Sequence, residues 1–95
     1  MAKVVYTRRA LDDLERLANF LLESAPNEAA KTVDLISEAI MVLDHHPLIG
    51  PAIDNELREL VISRRRTGYV AIYSYEEVHD TVLILAIRHQ REAGY

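Results

Sequence analysis

The chain has 95 residues, with no cysteine, no tryptophan, three glycines and three prolines. This length fits a single domain, and a content of 49% hydrophobic and 27% charged residues is typical of a folded, soluble chain. Without cysteine, a disulfide framework and a thiolate metal site are both excluded. No apolar run approaches the roughly 18 residues of a membrane helix and no signal peptide opens the chain, so we expect one soluble domain over residues 1–95 in the cytoplasm.

The net charge of −4 is unevenly distributed along the chain. Residues 1–57 carry five basic and ten acidic side chains, whereas residues 58–95 carry six arginines, no lysine and five acidic side chains. The forked guanidinium group of arginine favours contacts with carboxylate or phosphate. The second half therefore has the charge pattern of a binding surface, although strand ends that are merely solvated by arginines fit the same pattern.

The N-terminal segment predicts a short strand followed by an amphipathic helix. Lys3–Tyr6 consists of strand-forming residues, and Thr7 is a suitable N-cap for a helix from Arg8 to about Ser24. Apolar positions recur in this helix at steps of three and four residues: Leu11, Leu14, Leu17 or Ala18, and Leu21. The carboxylates that fall between them, including Asp13, are expected to face solvent.

A second helix is predicted to begin at Pro26, since proline suits the first position of a helix. Its apolar stripe consists of Ala29, Val33, Ile36, Ile40 and Leu43. The short link between the helices indicates an antiparallel hairpin. The second helix ends at the segment Asp44-His45-His46-Pro47, where the adjacent histidines lack the spacing of a metal site. We expect no metal there and interpret the pair as imidazoles near the free carbonyl groups of a helix end.

From Leu57 onward the hydrophobic pattern has a period of two, which is typical of strands. Three strands are predicted, at residues 57–63, 69–75 and 81–88, and their short links require antiparallel neighbours. The last strand is apolar on both faces, so we place it in the centre of the sheet with the first strand on its free side. The predicted fold class is α+β in the order β-α-α-β-β-β, a helical hairpin packed on a small, mainly antiparallel four-stranded sheet.

The side chains best suited to catalysis or to binding lie at the end of the last strand. Arg88, His89 and Arg91 follow the apolar strand, and Tyr95 lies four residues further on. A guanidinium, an imidazole and a phenol are the groups that a metal-free ribonuclease needs to stabilise phosphorane charge and to move protons. The same groups would also anchor an acidic partner segment. Both hypotheses remain open from the residues alone.

The order of elements and four short motifs resemble the RelE/ParE superfamily of toxins from bacterial toxin–antitoxin modules. The motifs are Pro47-x-x-Gly50, Leu57-Arg58-Glu59-Leu60, Gly68-Tyr69-x-x-x-Tyr73 and Ile87-Arg88-His89-Gln90-Arg91, and the resemblance covers essentially the whole chain. It implies a cytoplasmic bacterial toxin of a type II module, which arrests growth unless its antitoxin neutralises it. It implies no cofactor.

The superfamily divides by mechanism. The RelE-like branch cuts messenger RNA on the ribosome without a metal, with lysines on the strand before the Gly-Tyr turn and an arginine directly after the tyrosine. Val61, Ser63 and Val70 occupy those positions in this chain. If the chain is nevertheless a ribonuclease, the resemblance leaves these residues as catalytic candidates: Arg88, His89, Arg91 and Tyr95.

The closing His89-Gln90-Arg91 resembles the ParE branch, the plasmid stabilisation toxins, which poison DNA gyrase and have no catalytic centre. The resemblance therefore implies a gyrase inhibitor that is not an enzyme, with these target-binding candidates: Arg88, His89, Gln90 and Arg91. The alternatives are the ribosome-dependent ribonuclease and a non-toxic binding module.

For either branch the resemblance implies a ParD-like or RelB-like antitoxin that wraps the toxin. The candidate antitoxin contacts are Leu14, Leu17, Leu21, Arg58, Arg88 and Arg91. The run Arg64-Arg65-Arg66 fits a target contact or a solvated turn equally well.

Overall fold

The computed structural model describes residues 1–62 and 68–89. In chain order the elements are β1 (Lys3–Tyr6), α1 (Arg8–Ser24), α2 (Pro26–Met41), a single 3-10 turn (Val42–Asp44), β2 (Arg58–Val61), β3 (Tyr69–Glu76) and β4 (Thr81–His89). The predicted order of helices and strands is confirmed. β2 begins one residue later than the sequence pattern indicated, and β3 and β4 each end one residue later.

The strands form a four-stranded sheet in the order β1-β4-β3-β2. β2 and β4 both run antiparallel to β3, whereas β1 runs parallel to β4 with Lys3 opposite Thr81 and Tyr6 opposite Ile84. β4 therefore lies inside the sheet, as its two apolar faces predicted, and β1 occupies its free side. The pairing of β3 with β4 contains an irregularity between Ile72 and Tyr73, which is typical of a β-bulge.

Both helices begin at the residues that the sequence predicted, Arg8 and Pro26. The Thr7 hydroxyl accepts a hydrogen bond from the Ala10 amide at 3.2 Å and donates one to the Ile84 carbonyl at 2.8 Å. One side chain thus caps α1 and joins its start to β4, since N-cap hydroxyls satisfy the free amides of a first turn. Pro26 occupies the start of α2, where its fixed φ is already helical.

The core lies between the helical hairpin and the sheet. Its largest fully buried side chains come from α2, from the turn after it and from the two central strands: Ile36, Ile40, Leu43, Tyr73, Val82, Ile84 and Ile87. The arginine-bearing end of β4 therefore adjoins the buried core at Ile84 and Ile87.

The buried stripe of α1 differs from the one that the leucine spacing predicted. Ala10, Asp13 and Leu17 are buried, whereas Leu11 is 49% exposed. The expectation that Asp13 faces solvent is therefore wrong, and its physical reason lies at the end of β4. In the part of the chain that the structure describes, no helix is long and apolar enough to cross a membrane.

Candidate functional site

The end of β4 extends past its neighbour β1. The parallel pairing ends at Tyr6 opposite Ile84, and the chain then turns into α1. From Ile87 to His89, β4 keeps β3 on one side but has no β1 residue on the other. Backbone amides on such an edge need another acceptor, because a buried N–H without one costs about 1–3 kcal/mol.

Asp13 of α1 supplies that acceptor. Its Oδ2 accepts a hydrogen bond from the Ile87 amide at 3.0 Å, across 74 positions of sequence. Asp13 is 7% exposed as a whole residue, and this contact gives the physical reason for its burial. A carboxylate on the helix thus takes the place of a strand carbonyl where β1 has ended.

The same carboxylate holds Arg88, which was a candidate for target, antitoxin and catalytic contacts. Oδ1 of Asp13 lies 3.7 Å from Nη1 of Arg88 and 3.9 Å from Nη2 of Arg16. Only 17% of the Arg88 side chain is exposed. Its guanidinium is therefore directed at α1, and little of it faces an incoming partner.

His89 is oriented by an aromatic neighbour on β3. Its ring meets that of Tyr69, the residue opposite it in the sheet, edge to face with centroids 5.3 Å apart. Edge-to-face packing is a favoured geometry for rings at this separation. Burial raises the pKa of the Tyr69 phenol, so it stays neutral beside the imidazole. His89 is half-buried and is the last residue of β4 that the structure describes.

Arg58, a candidate antitoxin contact, holds the loop that precedes β2. Its Nη1 donates to the carbonyl oxygens of Leu48 at 3.2 Å and Gly50 at 2.8 Å. The Gly50 amide in turn donates to the Tyr73 hydroxyl at 2.9 Å. The Pro47-x-x-Gly50, Leu-Arg-Glu-Leu and Gly-Tyr motifs therefore meet in one hydrogen-bonded cluster, which organises the loop against the sheet.

The helix leucines proposed as antitoxin contacts are buried or half-buried. Leu17 is 4% exposed and belongs to the core. Leu14 packs on the core and, like Leu21, is half-buried. The exposed large apolar side chains of α1 are Leu11, Phe20 and Leu22. Sequence periodicity misses them because Asp13, a charged residue, occupies a buried position and displaces the expected stripe.

An open groove of about 750 Å³ lies beside the loop and the β3–β4 hairpin. Its apolar lining includes Leu48, Leu57 and Leu83, and Arg58 also borders it. Carboxylates form much of the remaining wall: Asp54, Glu56, Glu76 and Glu77. Asp54 accepts hydrogen bonds from the Glu56 and Leu57 amides, which lower the pKa of its carboxyl group. The spacing of motifs gave no sign of this groove.

Several candidates lie outside the described residues. They are Gln90, Arg91 and Tyr95 after β4, together with Ser63 and the run Arg64-Arg65-Arg66 before Gly68. Within residues 1–62 and 68–89, no three histidine or carboxylate side chains come close enough to hold a metal ion. The imidazole of His45 pairs with the carboxylate of Asp44 beside it.

Comparisons with known proteins match nearly the whole chain. Residues 4–94 match the family described as the ParE toxin of the type II toxin–antitoxin system parDE. A curated protein named Toxin RelE3, from Caulobacter vibrioides, is 36% identical over 92 residues, which cover 97% of this chain and 98% of that protein.

Solved structures share the fold. A chain from the chromosomal ParDE toxin–antitoxin system of P. aeruginosa has a TM-score of 0.77 at 24% identity, covering 94% of this chain and 96% of that one. The isolated E. coli RelE toxin has a TM-score of 0.72 at 11% identity, covering 98% of this chain and 88% of that one. Identities this low show the architecture alone, two helices on a four-stranded mixed sheet.

Proposed function

The chain belongs to the ParE toxin family of type II toxin–antitoxin systems, and from this premise we propose that it arrests growth by inhibiting DNA gyrase when no antitoxin is bound. The toxin acts by binding the gyrase–DNA complex and is not itself an enzyme. Its place of action is then the bacterial cytoplasm.

The observation that carries this proposal is the pairing of Val61 with Val70. These two residues lie directly opposite each other on β2 and β3. They occupy positions at which the ribonuclease branch is expected to carry a lysine and an arginine. Aliphatic side chains have neither charge nor a hydrogen-bond donor, so they give no stabilisation to a phosphorane.

The ion pair of Arg88 with Asp13 also favours gyrase inhibition over RNA cleavage. A catalytic guanidinium must reach the reacting phosphate, whereas that of Arg88 lies 3.7 Å from the Asp13 carboxylate with little exposure. Pairing with a carboxylate also reduces the charge available to a second anion. The end of β4 therefore suits a rigid protein contact better than an RNA cleavage centre.

An antitoxin is the proposed partner of the exposed apolar surface. Leu11, Phe20 and Leu22 of α1 are each about half exposed or more. A second apolar group, Leu48, Ile49 and Ile53, lies on the loop before β2. Leu11 and Leu22 lie on one side of the helix and Phe20 on the opposite side. An antitoxin that wraps the toxin is the kind of partner that would cover both sides together with the loop.

A supercoiling assay tests the proposed target. Purified toxin freed of antitoxin should block gyrase supercoiling at near-stoichiometric amounts, and addition of the antitoxin should restore it. Ribosome-bound messages should stay intact under the same conditions. Supercoiling at its normal rate in the presence of excess folded toxin would refute gyrase as the target.

Ribosome-dependent RNA cleavage is the second candidate, because the relative that is 36% identical carries the name Toxin RelE3. In that case His89, with Arg91 and Tyr95 beyond it, would carry the proton transfers and the phosphorane contacts. Cleavage of ribosome-bound message should then fall about a hundredfold or more for His89→Ala. Mapping message ends during toxin expression tests this, since an absence of new ends would exclude the candidate.

A further inference from the structure

Asp13 joins three groups through one buried carboxylate. Oδ2 accepts the Ile87 amide at 3.0 Å, and Oδ1 lies 3.7 Å from the Arg88 guanidinium and 3.9 Å from that of Arg16. The Asp13 side chain is 10% exposed and that of Arg88 17%, whereas that of Arg16 is 46% exposed. The Asp13 carboxylate thus contacts the backbone of Ile87 and the side chain of Arg88, which are successive residues of β4.

These contacts act at the one stretch of β4 that lacks a strand on one side. Where β1 pairs with β4, strand hydrogen bonds fix the backbone as far as Ile84. Beyond that point the Asp13 carboxylate replaces the ladder at Ile87, and His89 follows two residues later. Its imidazole then reaches the Tyr69 ring. Arg88 thus contacts Asp13 directly, and His89 follows on a strand whose backbone Asp13 holds two residues earlier.

The need of the Ile87 amide for an acceptor explains only part of this arrangement. Burying a carboxylate is costly, and a hydrogen bond to one amide could come from a neutral serine or asparagine. A charged carboxylate also attracts the Arg88 guanidinium 3.7 Å away, so that one side chain holds both the backbone and the side chain at the end of the strand. A fixed strand end is what a preorganised binding surface requires.

We infer that Asp13 is a positioning residue for the target-binding end of β4. It holds the Ile87 backbone and the Arg88 guanidinium against α1, so that the end of β4 presents His89 to the target in one arrangement. This inference rests on the proposed function, because it assigns target contact to the end of β4. Asp13 itself touches no target.

Three substitutions distinguish the effect of the position of the Asp13 carboxylate from the effect of its charge and from a general loss of stability. Asp13→Asn keeps an oxygen acceptor for the Ile87 amide but removes the charge that holds Arg88. Asp13→Glu keeps the charge but moves it by one methylene group. Asp12→Asn is the matched control, since Asp12 is the neighbouring acid of α1 and pairs with Arg8 on the surface.

Gyrase inhibition is measured at equal concentrations of folded protein, with folding checked by cooperative thermal unfolding. Both Asp13 variants should need about tenfold or more toxin for half-inhibition, while Asp12→Asn matches the parent. NMR signals of the Arg88 guanidinium and the His89 ring should move in the Asp13 variants and stay in the control. A folded Asp13→Asn or Asp13→Glu variant that inhibits like the parent overturns the inference.

A double-substitution cycle with Arg88→Gln distinguishes positioning from a general loss of stability. If Asp13 acts through Arg88, the double variant should lose about as much inhibition as the more affected single variant. Losses that simply multiply would overturn the inference. If the parent chain does not inhibit gyrase, the proposed target is wrong. The same comparisons then use growth arrest, where Asp13→Asn must reduce toxicity and Asp12→Asn must not.

Discussion

Tyr73 shows how one buried hydroxyl can organise a loop far from it in sequence. The side chain is fully buried, and its oxygen accepts the Gly50 amide at 2.9 Å. The carbonyl of the same glycine accepts from Arg58, so both polar groups of Gly50 are satisfied from β2 and β3. A buried amide satisfied by a single side chain is vulnerable to loss of that side chain.

Replacement of that hydroxyl should destabilise the chain measurably. Tyr73→Phe leaves the ring in place but removes the acceptor, so the free energy of unfolding should fall by about 1–3 kcal/mol. Urea unfolding measures this. Tyr75→Phe is the matched control, because the Tyr75 hydroxyl donates to Asp80 at an exposed site. Equal losses in the two variants would contradict the importance of the Gly50 contact.

Gly50 is also a position where no side chain fits. A Cβ atom there would lie 2.7 Å from the Glu59 carbonyl oxygen and 2.8 Å from the Tyr73 hydroxyl. Because one of these neighbours is backbone in a strand, it has little freedom to move. Gly50→Ala should therefore cost about 1–3 kcal/mol of unfolding free energy. Asn55→Ala, at an exposed position of the same loop, should change it by no more than about 0.5 kcal/mol.

Local chemistry predicted the starts of both helices, but it could not predict which acid of α1 is buried. Thr7 and Pro26 mark their helices through their own side chains, so a few neighbouring residues suffice. Asp13 is buried because an amide 74 positions away lost its strand partner. That need arises only once β1, β4 and α1 are assembled, which is information that no window of sequence contains.

At the scale of elements, the start of α1 depends on a hydroxyl that serves two elements. Thr7→Ala removes the cap on the Ala10 amide and the bond to the Ile84 carbonyl. The expected loss is about 1–3 kcal/mol of unfolding free energy. Ser24→Ala, which removes an exposed hydroxyl that bonds within the last turn of the helix, should cost less than about 0.5 kcal/mol. Thermal unfolding of the three chains compares them, and similar values for both variants would refute the double role of Thr7.

The exposed apolar side chains of α1 are not the leucines predicted to contact the antitoxin. Leu17 is committed to the core, whereas Leu22 is 58% exposed. Leu22→Ser should therefore weaken antitoxin binding about tenfold or more with little change in unfolding, since large apolar side chains dominate interfaces. Titration calorimetry with the antitoxin measures this. Glu23→Ser is the exposed neighbour for comparison, and equal affinities for the two variants would exclude this face.

For the molecule as a whole, the buried tyrosines are expected to lower the stability of the fold at alkaline pH. Burial raises the pKa of Tyr6, Tyr69 and Tyr73 above the ordinary value. The unfolded chain releases these protons near pH 10, before the folded chain does, so ionisation favours unfolding. Stability from this source is complete below about pH 10 and is lost as pH rises toward the higher pKa values of the folded state.

Unfolding measured as a function of pH should show this loss. The unfolding free energy should decline steadily above about pH 10, accompanied by the absorbance change of tyrosinate. In Tyr73→Phe the decline should be shallower, because one of the phenols with a raised pKa is gone. A flat profile up to pH 11 would contradict the role of the buried phenols.

The position of β4 has a consequence for the order of synthesis. This strand is made last of the four but lies between two others, with β1 paired to it across nearly the full length of the chain. During translation, residues 1–76 can form the helical hairpin and the β2–β3 pair, but they have no central strand on which to complete the sheet. The end of β4 can join the sheet only after residues 81–89 have left the ribosome. Any property that depends on the completed sheet is thus acquired only after β4 has left the ribosome.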